Sequence, residues 1–121
     1  MSGLSSHRPR VLDAPRYAWR GLSLDLARTF FTVDEVRRVI DLLALYKLNV
    51  LHLHLTDDQN WRLPVGRPAE RSKSDVTFYS AEDLRELAAY AEGRFVTVVP
   101  EVDTPGHAYA FVRMRPELNT C

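Results

Sequence analysis

Three short apolar stretches, separated by two amphipathic ones, dominate the hydrophobic pattern of this chain. The apolar stretches cover residues 17–26, 49–56 and 95–102. In the second, leucines alternate with valine, histidine and threonine, which is the two-residue period of a β-strand. The third is rich in β-branched residues, which also favour strands. The pattern therefore predicts three strands with a helix between each pair.

The two segments between the strands carry helix signals. Thr32 followed by Glu35, and Ser80 followed by Asp83, have the spacing of capping boxes. Gly93 suits the end of the second helix. The apolar positions at helical spacing, which we expect to be buried, are Val36, Val39, Ile40, Leu43 and Tyr46 in the first helix and Leu84, Leu87, Ala88 and Ala91 in the second.

This order of elements predicts an α/β domain. Helical connections of this length impose parallel pairing on successive strands. Because the strands are apolar on both sides, we expect both sheet faces to be covered. Residues 1–16 are interpreted as a lead-in and residues 17–121 as the domain. Within it, residues 57–79 are expected to form a loop, and a short third helix is expected to begin near Ala108.

Composition excludes several classes of partner. The chain has 121 residues, with 16 basic and 16 acidic side chains and no basic stripe. We therefore expect no nucleic-acid and no anionic-membrane partner. Cys121 is the single cysteine, so no internal disulfide forms. No signal peptide or membrane span is visible, and the chain is expected to be soluble. Compartment and oligomeric state stay open.

Polar residues gather where two of the predicted strands end. Asp57 and Asp58 follow the second strand, and Glu101 and Asp103 lie at the end of the third. The carboxyl ends of parallel strands meet at one edge of a sheet, so these acids are expected to share a pocket. His52 and His54 lie on one side of the second strand, which is also a metal-ligand spacing. A metal-dependent barrel hydrolase is therefore an alternative interpretation.

Three motifs mark the strands and the segments after them: YAWRGLSLD from residue 17, HLHLTDDQ from residue 52 and PEVDTPGH from residue 100. Together they resemble glycoside hydrolase family 20, the β-N-acetylhexosaminidases and chitobiases. The resemblance implies a (β/α)₈ TIM barrel, of which this chain supplies the first three strands and two helices. It implies removal of terminal N-acetyl-hexosamine from β-linked oligosaccharides or glycoconjugates, with retention and without a cofactor or metal. The 2-acetamido oxygen of the sugar acts as the nucleophile, which departs from the two-carboxylate scheme.

The resemblance also suggests roles for individual residues. Arg20 matches an arginine that holds sugar hydroxyls, and Asp57 with His107 matches a pair that supports the acid. We assign the other candidates to substrate binding; they are His54, Asp58, Trp61, Glu101 and Asp103. Trp61 either stacks on the sugar or packs beneath its loop. Asp58 is expected to bond the loop backbone.

The family's adjacent Asp-Glu pair follows a fourth strand, which this sequence does not reach. The pair Asp34-Glu35 lies in the first turn of a helix, where acids favour the positive end of the helix dipole. We therefore expect the chain alone to be inactive as a hexosaminidase, with open sheet edges. A non-catalytic remnant that binds sugar or a partner chain is a further alternative. Preference for glucosamine or galactosamine, linkage and natural substrate are not predicted.

Overall fold

Three parallel strands and two long helices form the framework of the described chain. The computed structural model describes residues 10–64 and 78–118. The elements in chain order are β1 (Gly21–Asp25), α1 (Val33–Leu45), β2 (Val50–His54), α2 (Ala81–Glu92), β3 (Thr97–Glu101), α3 (Tyr109–Met114) and a 3₁₀ turn at Pro116–Leu118. The sheet order is β1-β2-β3 with parallel pairing throughout. The predicted α/β architecture is confirmed.

Both helices begin at the predicted caps. The Thr32 hydroxyl accepts from the Glu35 amide at 3.3 Å, and the Thr32 amide donates to the Glu35 carboxylate at 2.7 Å. Ser80 and Asp83 make the same reciprocal pair at 3.0 and 2.8 Å. Each box gives a partner to two backbone amides at the start of its helix, which have no partner within the helix itself. The box therefore fixes where the helix starts.

The hydrophobic core lies on one face of the sheet. Alternation along β2 directs Leu51 and Leu53 toward the helices, where they pack with the buried stripes of α1 and α2. Fully buried members of this core include Val36, Ile40, Leu43, Leu87 and Ala91. Two predicted core positions are wrong. Tyr46 is 73 % exposed because it follows α1, which ends at Leu45, and Ala88 lies on the exposed side of α2.

The opposite face of the sheet is polar toward the carboxyl ends of the strands. Asp25 pairs in register with His54, and His54 with Glu101. Ser23 pairs with His52 one layer below. The expectation of two covered apolar faces is therefore wrong for the described residues, because the polar members of each alternating strand all project away from the helices.

The strands are shorter than the apolar runs predicted. Residues 17–20 precede β1, and Phe95 adopts a left-handed backbone with φ of 58° and is 89 % exposed, so β3 begins only at Thr97. Residues 10–20 contain no helix or strand, and Asp13 pairs there with Lys47. The predicted helix near Ala108 is present as α3. Most of the predicted 57–79 loop lies outside the described residues.

None of the helices within residues 10–64 and 78–118 combines the length and apolarity that crossing a bilayer requires.

Two adjacent leucines on α1 test where the core lies. Leu43 is 2 % exposed and Leu42 is 54 % exposed. We expect Leu43→Ala to lower the free energy of unfolding by about 2–4 kcal/mol, because it leaves a cavity in the core. Leu42→Ala is the matched control, with an expected loss within about 0.5 kcal/mol. Urea unfolding measures both; equal losses would contradict this placement of the core.

Candidate active site

A cavity of about 270 Å³ opens at the carboxyl end of the sheet. All three strands and the segments that follow them contribute to its wall. The lining residues are Ser23, Asp25, Arg28, His54, Asp57, Glu101, Asp103 and His107. The structure therefore brings together five of the residues that the sequence singled out, at the edge where parallel strands place polar side chains.

Asp57 is the centre of this site. Its side chain is 2 % exposed, and its Oδ2 atom lies 2.5 Å from Arg28 Nη2 and 2.9 Å from His54 Nε2. Its Oδ1 atom accepts from the Asp58 amide at 2.6 Å and lies 3.3 Å from His107 Nδ1. Burial alone would raise the pKa of Asp57. The hydrogen bonds from His54 and the Asp58 amide, with the charge of Arg28, outweigh burial and lower this pKa to about 2.

A tight loop after β2 holds the Asp57 backbone. Thr56 and Trp61 form an antiparallel bridge across it, and the Asp57 amide donates to the Asn60 carbonyl at 2.9 Å. The buried guanidinium of Arg62 donates to the carbonyls of Leu26 (2.8 Å) and Ala27 (3.0 Å). Since Leu26 and Ala27 follow β1, Arg62 joins the loop that carries Asp57 to the segment that carries Arg28.

Arg28 is the guanidinium of this site, and the sequence analysis did not identify it. Asp25, the last residue of β1, accepts from the Arg28 amide at 3.0 Å and from Arg28 Nη1 at 2.5 Å. The Arg28 side chain is 50 % exposed beside the cavity. The available signal was an arginine three residues after an acid that ends a strand, the spacing of a local side-chain-to-backbone turn.

Arg20 lies at the other end of the sheet, which contradicts its expected place in the sugar site. Its guanidinium donates to the carbonyls of Lys47 (2.8 Å) and Tyr17 (2.5 Å). Lys47 lies before β2 and Arg20 lies before β1, so both mark the amino ends of their strands. The five-residue strand β1 separates Arg20 from the cavity, and the Nε and Nη1 atoms of Arg20 donate to backbone carbonyls.

His54 and Glu101 continue the network from Asp57. His54 Nδ1 lies 2.6 Å from Glu101 Oε1, and His52 Nε2 lies 2.7 Å from Glu101 Oε2. Burial alone would lower the pKa of His54, but its hydrogen bonds to Asp57 and Glu101 raise it above the ordinary value. Burial alone would raise the pKa of Glu101, but the His54 bond lowers it. Both histidines of β2 are thus bound to one carboxylate.

This geometry does not form the metal pair proposed for His52 and His54. Among the described residues, two groups have ligand atoms close enough to share an ion: His54 with Glu101 and Asp103, and Asp57 with Asp58 and His107. Neither group includes His52. Both ring nitrogens of His54 already face carboxylate oxygens, so a metal would have to displace one of these bonds.

Besides Arg20, two predicted substrate-binding residues do not line the described cavity. Trp61 is 6 % exposed, and its ring stacks on Phe111 of α3 with centroids 4.6 Å apart. Of the two roles considered for Trp61, packing beneath the loop is the one observed. Asp58 Oδ1 accepts from the Tyr109 amide at 3.1 Å, so Asp58 bonds the backbone where α3 begins.

Asp103 and His107 do reach the cavity. The Asp103 amide donates to Thr56 Oγ1 at 3.0 Å, which ties the segment after β3 to the loop after β2. His107 has a left-handed backbone with φ of 55°, a conformation that costs a non-glycine residue about 1 kcal/mol or more. Its side chain is 58 % exposed. One ring nitrogen therefore faces Asp57 while the ring remains open to the cavity.

Removing the Asp57 charge tests its pairing. Its pKa of about 2 lies below the reference value of 3.8, so ionised Asp57 stabilises the fold above about pH 4, and this contribution is lost as pH falls toward 2. We expect Asp57→Asn to lower the free energy of unfolding near neutral pH by about 1–3 kcal/mol. In this variant, the free energy of unfolding should also lose the part of its pH dependence that comes from Asp57.

Asp58→Asn is the matched control, since Asp58 is the adjacent acid and bonds the Tyr109 amide instead. Urea unfolding at a series of acidic pH values gives the free energy of unfolding as a function of pH. The slope of this plot should decrease for Asp57→Asn alone. The same pH dependence in wild type and Asp57→Asn would refute the pairing.

Comparison with known proteins places these residues in a family. Residues 17–121 match the model of glycosyl hydrolase family 20, catalytic domain. The chain is 52 % identical over 110 residues to the β-N-acetylhexosaminidase of Cellulomonas fimi, covering 84 % of this chain and 22 % of that protein. It is 42 % identical over 120 residues to the β-hexosaminidase of Akkermansia muciniphila, covering 88 % and 24 %.

Solved structures agree with this assignment. The β-N-acetylhexosaminidase of Streptomyces coelicolor A3(2) superposes with a TM-score of 0.79 at 46 % identity, covering 89 % of this chain and 24 % of that one. The exo-β-N-acetylglucosaminidase of Vibrio harveyi, solved with N-acetylglucosamine, gives 0.77 at 38 % identity, covering 88 % and 20 %. The chain spans about a fifth to a quarter of the length of these relatives. It belongs to glycoside hydrolase family 20 and matches part of that family's catalytic domain.

Proposed function

We propose that the protein carrying this chain is a β-N-acetylhexosaminidase, and that these residues form the first three strands of its (β/α)₈ barrel. The observation that best supports the proposal is the ionised Asp57, held between Arg28, His54 and His107 beside an open cavity. Relatives that share this stretch are named as β-N-acetylhexosaminidases and β-hexosaminidases. The chain covers 22 % of the length of the first relative, so the activity is proposed for the complete protein.

Arg28 is the residue we assign to the sugar hydroxyls, in place of Arg20. A guanidinium has five N–H donors in a planar fork. Arg28 uses one donor of Nη1 on Asp25 and one of Nη2 on Asp57, and half of its side chain stays exposed. The remaining donors suit two neighbouring hydroxyls of a pyranose ring. The two carboxylates hold the fork in place before the sugar arrives, which reduces the cost of binding.

His107 is the residue we assign to the support of the catalytic acid. Its Nδ1 faces Asp57, which fixes the orientation of the ring and favours a proton on that nitrogen. The other ring nitrogen is then free to accept from, or donate to, a carboxyl group in the cavity. An acid that must protonate a leaving oxygen needs such a partner to hold its position and protonation state.

The remaining chemistry follows from the family's substrate-assisted mechanism. In this proposal the 2-acetamido oxygen of the sugar attacks the anomeric carbon and the glycosidic bond breaks. The leaving oxygen takes a proton from a carboxylic acid that residues 17–121 do not supply. Water then opens the cyclic intermediate, so the configuration at the anomeric carbon is retained. Asp57, Arg28 and His107 position the reactants and form no bond to the sugar carbon.

Hydrolysis of aryl glycosides by the protein expressed from its complete coding sequence tests this function. We expect turnover of p-nitrophenyl N-acetyl-β-glucosaminide or N-acetyl-β-galactosaminide. The matched control substrate is p-nitrophenyl β-glucoside, which lacks the acetamido nucleophile and should not react. Equal rates on the glucoside, or no turnover of either acetamido sugar, would refute the proposal.

Substitution of Arg28 tests its assignment. We expect Arg28→Gln to reduce kcat/KM by about 10- to 100-fold, since charged hydrogen bonds are each worth about 1.5–3 kcal/mol. Arg28→Lys keeps the charge but loses the fork, so its kcat/KM should lie between those of the wild type and Arg28→Gln. Arg85→Gln removes a surface arginine that pairs only locally with Glu82 at 2.9 Å, and should leave the kinetics unchanged. An unchanged kcat/KM in Arg28→Gln would show that Arg28 does not bind the sugar.

A further inference from the structure

The proposed function assigns no role to His54, although its side chain lines the cavity. Its ring lies between two carboxylates, with Nδ1 at 2.6 Å from Glu101 and Nε2 at 2.9 Å from Asp57. A neutral imidazole carries one N–H and one lone pair, so it can donate to only one of these oxygens. Since the pKa values of Asp57 and Glu101 are both lowered, both carboxylates are ionised, and only the imidazolium then satisfies both contacts at once.

Charged groups around the ring favour the protonated form. The groups that face or adjoin it are Asp25 and Arg28 from the end of β1, His52 from its own strand, Asp57 from the loop after β2, and Glu101, Asp103 and His107 from β3 and the segment that follows. Four carboxylates thus surround a ring whose side chain is 13 % exposed, against one guanidinium. This excess of negative charge favours a second cation at the ring's position.

We propose that His54 is a positioning residue of the hexosaminidase site, an imidazolium that keeps Asp57 ionised and turned toward His107. The inference rests on the proposed function. Asp57 Oδ2 is held by His54 and Arg28, which leaves Oδ1 for the Asp58 amide and His107. Since Glu101 holds the far side of the ring, the orientation of Asp57 is determined from β3 through β2.

His52 is the natural control. It lies two residues away on the same strand and contacts the other oxygen of Glu101 at 2.7 Å. No contact joins His52 to Asp57, and His52 does not line the described cavity. An effect transmitted only through Glu101 or the strand should therefore appear in both histidine variants. An effect transmitted through the contact with Asp57 should appear only in the His54 variant.

NMR titration of the protein expressed from its complete coding sequence tests the proposal. In wild type, we expect both ring nitrogens of His54 to be protonated near neutral pH. His54→Gln should raise the pKa of the Asp57 carboxyl by about one pH unit, because a neighbouring opposite charge is removed. His52→Gln should leave the pKa of the Asp57 carboxyl in place.

Two results would overturn the inference. One is a neutral His54 ring near neutral pH, and the other is an Asp57 titration that the two variants shift equally. If His54→Gln does not fold, the wild-type ring spectrum alone decides. An Asp57 shift confined to His54→Gln in a protein that hydrolyses no N-acetylhexosaminide would support the hold on Asp57 and refute the proposed function, so the two failures are distinguishable.

Discussion

A buried carboxylate that stays ionised is the constraint on which this site depends. Asp57 is almost inaccessible to water, and an unpaired charge in such a place would take up a proton. Arg28, His54 and the Asp58 amide prevent this by binding both of its oxygens. These groups come from different segments of the chain, so the ionised state of Asp57 requires that β1, β2 and the loops after them all take their places together.

The alternation of the strands explains why the polar groups meet. Leu51 and Leu53 pack against the helices, and the residues between them therefore project to the other side. Register then aligns Asp25, His54 and Glu101 across the sheet. The core and the site are thus two faces of the same strands, and a shift of register by one residue would destroy both.

Much of this arrangement could be predicted from the sequence because its causes are local. The capping boxes at Thr32 and Ser80 depend on residues three apart, and the parallel order follows from helix-length connections. The convergence of Asp57 with His107 followed from strand ends and motif resemblance. Arg20 and Arg28 illustrate the limit. Both flank β1 and both are arginines, and the choice between them depends on where a five-residue strand starts and stops, which the longer apolar run did not define.

The buried guanidinium of Arg62 has a consequence for the dimensions of the site. It bonds the carbonyls of Leu26 and Ala27, the two residues immediately before Arg28, while its own backbone continues the loop from Asp57. These two bonds couple the loop that carries Asp57 to the segment that carries Arg28. We therefore expect a residue that does not line the cavity to help set the spacing between the Arg28 fork and the Asp57 carboxylate that a bound sugar would meet.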